Sequence, residues 1–73
     1  MLQAYRVIAP FSAKQLYREP LWLEHFEPGD LLVALSSDDG QTTFCRWVDA
    51  AALEDRRHFS MTDEDFENST AAE

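Results

Sequence analysis

Two β-prone runs, Leu31-Leu32-Val33-Ala34-Leu35 and Gln41-Thr42-Thr43-Phe44-Cys45-Arg46-Trp47-Val48, are separated by Ser36-Ser37-Asp38-Asp39-Gly40. An Asp-Gly pair between such runs is the strongest short-range signal for a hairpin, because both residues accept the positive φ of a tight turn. The middle of the chain is thereby committed to antiparallel sheet. The first run does not alternate, so it reads as a strand buried on both faces. Loop length decides the register. A three-residue loop, Asp38 to Gly40, pairs Leu35 with Thr43, Val33 with Cys45 and Leu31 with Trp47. A two-residue Asp39-Gly40 turn pairs Leu35 with Phe44 and Leu31 with Val48. One residue of slip inverts the faces, and both registers stay open.

A second turn precedes the hairpin at Glu27-Pro28-Gly29-Asp30. Proline presets φ at the second position and glycine takes the positive φ of the third, as a type II turn requires. Upstream, Ala4-Tyr5-Arg6-Val7-Ile8-Ala9 reads as a strand stopped by Pro10. Ser12 can cap a helical turn over residues 13–18, ended by Pro20, with an irregular loop as the alternative. Leu21-Trp22-Leu23 is too short to separate strand from turn by periodicity. Residues 49–55 read as a helical turn or a long connection. Residues 57–61 read as another strand. A short helix follows over residues 62–68: Thr62 caps it, Asp63, Glu64 and Asp65 suit its positive end, and Phe66 pins it to the core. The expected domain spans residues 1–68, with 69–73 a frayed polar tail.

Length limits what these elements can enclose. A chain of 73 residues supports one domain, and below about 70–80 residues a single core rarely supplies more than ~3–5 kcal/mol. The lone Cys45 and the lack of a cysteine cluster remove disulfide and structural zinc as supplements. Nine aromatic residues can build the core, each burying about 150–250 Å². A deep catalytic cleft would compete with that core for residues, which favours a binding role over an enzyme. Self-association as a homodimer is compatible with so small a core.

The order strand, long loop, turn, hairpin, strand, short helix resembles the Src-homology-three-like small β-barrel. The likeness lies in Tyr5-Arg6-Val7-Ile8-Ala9-Pro10-Phe11, a long loop, and Phe26-Glu27-Pro28-Gly29-Asp30-Leu31-Leu32-Val33, where that family has a Phe-x-x-Gly-Asp-type turn opening its second strand. It implies a mainly β fold: a small five-stranded barrel or strongly bent antiparallel sheet with a short C-terminal helix. Peptide-binding members carry several aromatics on the first strand and loop, a Trp opening the third strand, and a late Pro-x-x-Tyr. Here Phe11 alone matches the first set, Trp47 lies late in its strand, and no proline follows Pro28. The resemblance therefore bears on the barrel rather than on a proline-rich-peptide groove, and a fold of this type hosts many functions.

Charge is distributed unevenly. Fourteen acids against six Lys and Arg give a net charge of −8. Residues 1–18 carry +3 from Arg6, Lys14 and Arg18, and residues 19–73 carry −11. Such a field repels polyanions, so direct nucleic-acid binding is not expected. Tyr17 and Trp22, with Phe11, Lys14 and Arg18, form the candidate partner-binding surface, with Tyr17 and Trp22 partly exposed and Leu21 and Leu23 in the core. Asp63, Glu64, Asp65 and Glu67 form a candidate acidic surface, read first as favourable charge at a helix start. It could instead act as a decoy of nucleic-acid phosphates toward a basic protein.

His25, Cys45 and His58 are the only soft metal ligands, and their spacing fits no zinc pattern. Asp38-Asp39-Gly40 suits a turn without needing a cation. Cys45 reads as a small buried hydrophobe rather than a nucleophile. No catalytic, metal or cofactor residue is assigned. No run reaches the ~18–20 apolar residues of a membrane span, and Met1-Leu2-Gln3-Ala4-Tyr5-Arg6 has no signal-peptide pattern. The expectation is a soluble, cytoplasmic, non-enzymatic protein-interaction module. A divalent-cation protein or small enzyme is the further alternative.

Overall fold

The central hairpin forms as its turn chemistry dictates, and it uses both registers. The computed structural model describes residues 3–16, 22–52 and 58–73. Asp39 and Gly40 sit at φ 53° and 75°, the two positive values of a type I′ turn. Asp38 pairs with Gln41 and Ser36 with Thr43, the register of the two-residue turn. Beyond Leu35 the pairing shifts: Ala34 lies opposite Phe44 and Val33 opposite Cys45, as in the three-residue register. Leu35 is the extra residue of a β-bulge, which absorbs one position and bends the strand. The shift puts Leu32, Val33, Phe44 and Cys45 out of solvent, whereas the ends of the run, Leu31 and Leu35, are exposed.

Seven strands make one sheet rather than five. They are β1 (Gln3–Val7), β2 (Phe11–Gln15), β3 (Leu23–Phe26), β4 (Leu31–Asp38), β5 (Gln41–Arg46), β6 (Phe59–Thr62) and β7 (Thr70–Ala72). Their order across the sheet is β3-β2-β6-β5-β4-β1-β7, and every pairing is antiparallel. A 3-10 helix, Trp47–Ala52, follows β5, and α1 (Asp63–Ser69) links β6 to β7. The fold is thus a curled antiparallel half-barrel with one short helix.

The curl follows from ring distances. In a flat sheet Phe26 on β3 and Phe44 on β5 would be separated by three strand spacings, about 14 Å. Their ring centroids lie 5.5 Å apart. Phe44 is the common neighbour of Phe11, Phe26, Phe59 and Phe66, at 5.4–6.0 Å. Val7, Ala13 and Leu32 complete this core, so each of β1 to β6 and α1 contributes a buried residue.

Three local expectations are corrected. Residues 11–15 are strand, not helical turn: Ala13 and Gln15 are buried while Ser12 and Lys14 are exposed. That period of two, with partners β3 and β6 on either side, overrides the capping signal at Ser12. The strand after the hairpin ends at Arg46, and Trp47 and Val48 enter the 3-10 helix instead. Residues 70–72 are not a frayed tail, because β7 pairs with β1 from Tyr5–Ala72 to Val7–Thr70. Glu73 N–H donates to Ala4 O at 2.9 Å, and Arg6 Nε donates to the Glu73 carboxylate at 3.0 Å. The readings placed on Tyr17, Arg18, Leu21 and residues 53–57 lie outside the described residues.

The two other end signals hold. Gly29 has φ 99° and Asp30 N–H donates to Glu27 O at 3.1 Å. The turn also docks on β1, with Gly29 N–H donating to Val7 O and Val7 N–H to Asp30 O. Thr62 caps α1, its hydroxyl accepting from Asp65 N–H at 3.1 Å, and Phe66 is buried.

Removal of residues 70–73 tests the last strand. It deletes the buried Thr70 and several ladder bonds at roughly 0.5–1.5 kcal/mol each, so the melting temperature should fall by about 5–15 °C. Unchanged melting would mean that the tail is frayed. Glu73 adds a pH signature. The hydrogen bond from Arg6 holds its carboxyl below the ordinary range, so its contribution is present at neutral pH. That contribution is lost as pH falls through the lowered folded-state value. Exchange of the Glu73 amide should rise there relative to the core after correction for intrinsic rates, and a Glu73→Gln variant should lack the transition.

Candidate functional site

The curl brings the end of β5 against the edge strand β3, and Arg46 fills the junction. Its guanidinium carbon lies 4.3 Å from the centroid of the Phe26 ring. Nη1 donates to Asp30 at 3.3 Å, and Nη2 to Glu24 at 3.5 Å and to His25 O at 3.1 Å. The planar cation thus lies over an aromatic face while its edge joins β3 to the turn before β4. Its side chain is 27% exposed, sheltered enough for these contacts to matter more than an ordinary surface ion pair.

Exposed apolar residues flank this junction. On the β3 side is Trp22, 44% exposed, with Nε1 donating to Glu24 at 3.4 Å; Leu23, 60% exposed, alternates with Glu24 and faces away from the junction. On the other side Leu31, Trp47 and Val48 border a hollow of about 290 Å³ shared with Asp30 and Arg46. Val48 is 80% exposed. Hydrogen bonds therefore run from Trp22 through Glu24 and Arg46 to Asp30, which shares the hollow with Trp47 and Val48.

The structure separates the residues singled out in the sequence. Trp22 lies on this face. Lys14 is exposed on the neighbouring strand, opposite Leu23. Phe11 does not join them: it stacks on Phe26 at 5.0 Å and packs against the core. Leu23, expected in the core, is outside because the alternation of β3 turns Phe26 inward and its odd-numbered residues outward. Leu31, Trp47 and Val48 fall at the ends of runs that read as buried or paired strand, so the sequence does not mark them as surface. The signal for Trp47 was its place past a run already long enough for the hairpin.

The acids of α1 divide between two environments. Asp63 is half-buried and accepts from Ser37 Oγ at 3.0 Å and Thr42 Oγ1 at 2.6 Å, so it is a bonded group rather than part of a solvated face. Glu64 and Asp65 are exposed. Asp63 and Glu67 line a groove of about 430 Å³ between α1 and the bulged strand β4, with Tyr5, Leu35 and Phe66 supplying its apolar side.

His25, Cys45 and His58 are not gathered. Among the described residues no three His, Cys, Asp or Glu side chains are placed to share a metal ion. Cys45 is buried, and burial followed by the negative charge of Asp49 pushes its thiol pKa up, the opposite of what activates a nucleophile. The register of β2 with β3 does align Ser12 Oγ with His25 Nδ1 at 3.3 Å, and His25 Nε2 with Glu27 at 2.6 Å. This has the order of a hydrolase relay, but the His25 and Glu27 side chains are 58% and 62% exposed. Water surrounds the imidazole that a relay would shield.

No helix among the described residues is long and apolar enough to cross a membrane. No protein-family model matches the chain, and neither curated proteins nor solved structures provide a match.

Two predictions follow from this geometry. Arg46→Met should lower stability by about 1–2 kcal/mol through loss of the ring contact and its bridges. Arg46→Lys should recover less than half of that, because ammonium cannot stack and fork together. Equal melting of all three proteins would remove Arg46 from its role as a clasp. Cys45 should react with a thiol reagent at pH 8 roughly a hundredfold more slowly in the native protein than in urea. Equal rates would contradict its burial.

Proposed function

We propose that this chain is a small, acidic, non-enzymatic protein-interaction module that docks through the face running from Trp22 across Arg46 to Trp47 and Val48. The exposure of those apolar side chains around one ordered arginine carries the reading. Trp and Arg are the residue types that dominate interface energetics, and here Arg46 ends β5, Trp47 opens the 3-10 helix and Trp22 immediately precedes β3. The partner is a protein with a complementary apolar surface, and a second copy of the chain is one such surface. Nucleic acid is disfavoured by the −8 charge.

The Src-homology-three-like likeness extends this reading to the fold: the curled sheet and the Pro28-Gly29 turn support it, with β7 as an addition. A cytoplasmic location also belongs to it, since one unpaired thiol is the ordinary state of cysteine in that compartment.

Trp47→Asp and Val48→Asp place charges at exposed apolar positions of the face and should change stability by no more than about 1 kcal/mol. Both should abolish retention of the protein species that the immobilised wild-type chain captures. If the partner is a second copy, sedimentation should show a wild-type dimer and monomeric variants. Folded variants that keep the same partner at the same strength would refute the surface.

A further inference from the structure

At the other end of β5, the groove beside α1 has a composition suited to one kind of occupant. Leu35, the bulge residue, and the edge-on rings of Tyr5 and Phe66, 5.1 Å apart at 71°, provide apolar and aromatic surface. Asp63 and Glu67, four residues apart on one helix face, provide two carboxylates. No Lys, Arg or His lies among the lining residues, and Arg6, next to Tyr5 in sequence, is engaged by Glu73. Ser37 and Thr42 both donate to Oδ1 of Asp63, leaving Oδ2 without a donor among the described residues. The carboxylate is therefore oriented but not saturated.

We propose that this groove receives one Lys or Arg side chain projecting from an extended segment of a protein partner. The aliphatic stem would lie along Leu35 and the rings, and the cationic head would meet Asp63 and Glu67. The volume of about 430 Å³ is ample for such a side chain. The groove is open to solvent, so the partner's main chain can stay outside while the side chain enters. The net charge of −8 draws cationic segments toward the protein and adds to the local complementarity. This site is independent of the Trp22–Trp47 face.

The test is an NMR titration of the isotope-labelled full chain with the capped pentapeptide Gly-Ser-Lys-Ser-Gly, monitoring the Leu35, Ser36 and Glu67 amides. Saturable shifts are expected. Norleucine in place of the peptide lysine should weaken binding by about fivefold or more. Glu67→Gln, a change at an exposed position, should do the same with the rest of the spectrum intact, and Ser37→Ala should weaken binding by loosening Asp63. The proposal is overturned by equal binding of the norleucine peptide, which would make the groove merely apolar. It is also overturned by n-butylammonium binding as tightly as the peptide, which would make it a site for free amines, or by no shift at millimolar peptide.

Discussion

Phe44 is the residue on which the rest of the molecule converges. Its ring meets Phe11 and Phe26 from the first two strands of the sheet order, Phe59 from the adjacent strand, and Phe66 from the helix. A flat sheet could not bring these rings together, so burying them and curling the sheet are one event. For a small chain whose only cysteine is buried and free, this aromatic cluster replaces the covalent or metal staples on which many small domains depend. The curl also places the end of β5 against β3, where Arg46 closes over Phe26. The outer clasp is thus a consequence of the inner core.

The bulge at Leu35 is the second constraint. The Asp39-Gly40 turn requires one register and the burial of Val33, Phe44 and Cys45 another, and a single extra residue satisfies both. The resulting bend leaves space between β4 and α1 that Tyr5 and Phe66 border without filling. Asp63 gains its hydroxyl partners, Ser37 and Thr42, from the strands flanking this turn, and its own N–H donates to Gly40 O. The bulge thus reconciles the hairpin turn with the buried strand, and the turn holds the start of the helix.

What could be read from the sequence was governed by local chemistry. The Pro28-Gly29 and Asp39-Gly40 turns, the Thr62 cap and the burial of Phe66 depend on residues a few positions apart, and all were legible. Non-local pairing was not. Strand β2 carries a respectable helix-cap signal at Ser12 and becomes a strand because β3 and β6 flank it. Strand β7 looks like a polar tail until β1 offers it an edge. Both omissions concealed strands, which is why five became seven. The candidate surface was legible only in part for the same reason: Trp22 could be seen as an exposed aromatic, but its connection to Trp47 passes through Arg46. Sequence proximity drew Phe11 into the surface, whereas pairing with Phe26 puts it against the core.

The phenylalanines pack in or against the core and the tryptophans face solvent. The chain has two tryptophans, Trp22 and Trp47, at 44% and 49% exposure. Acrylamide quenching of their fluorescence measures that division in the native protein. A water-exposed emission maximum, with quenching approaching that of the urea-unfolded chain, is the predicted result. Blue-shifted, shielded emission from the free monomer would put a tryptophan in the core and contradict the account.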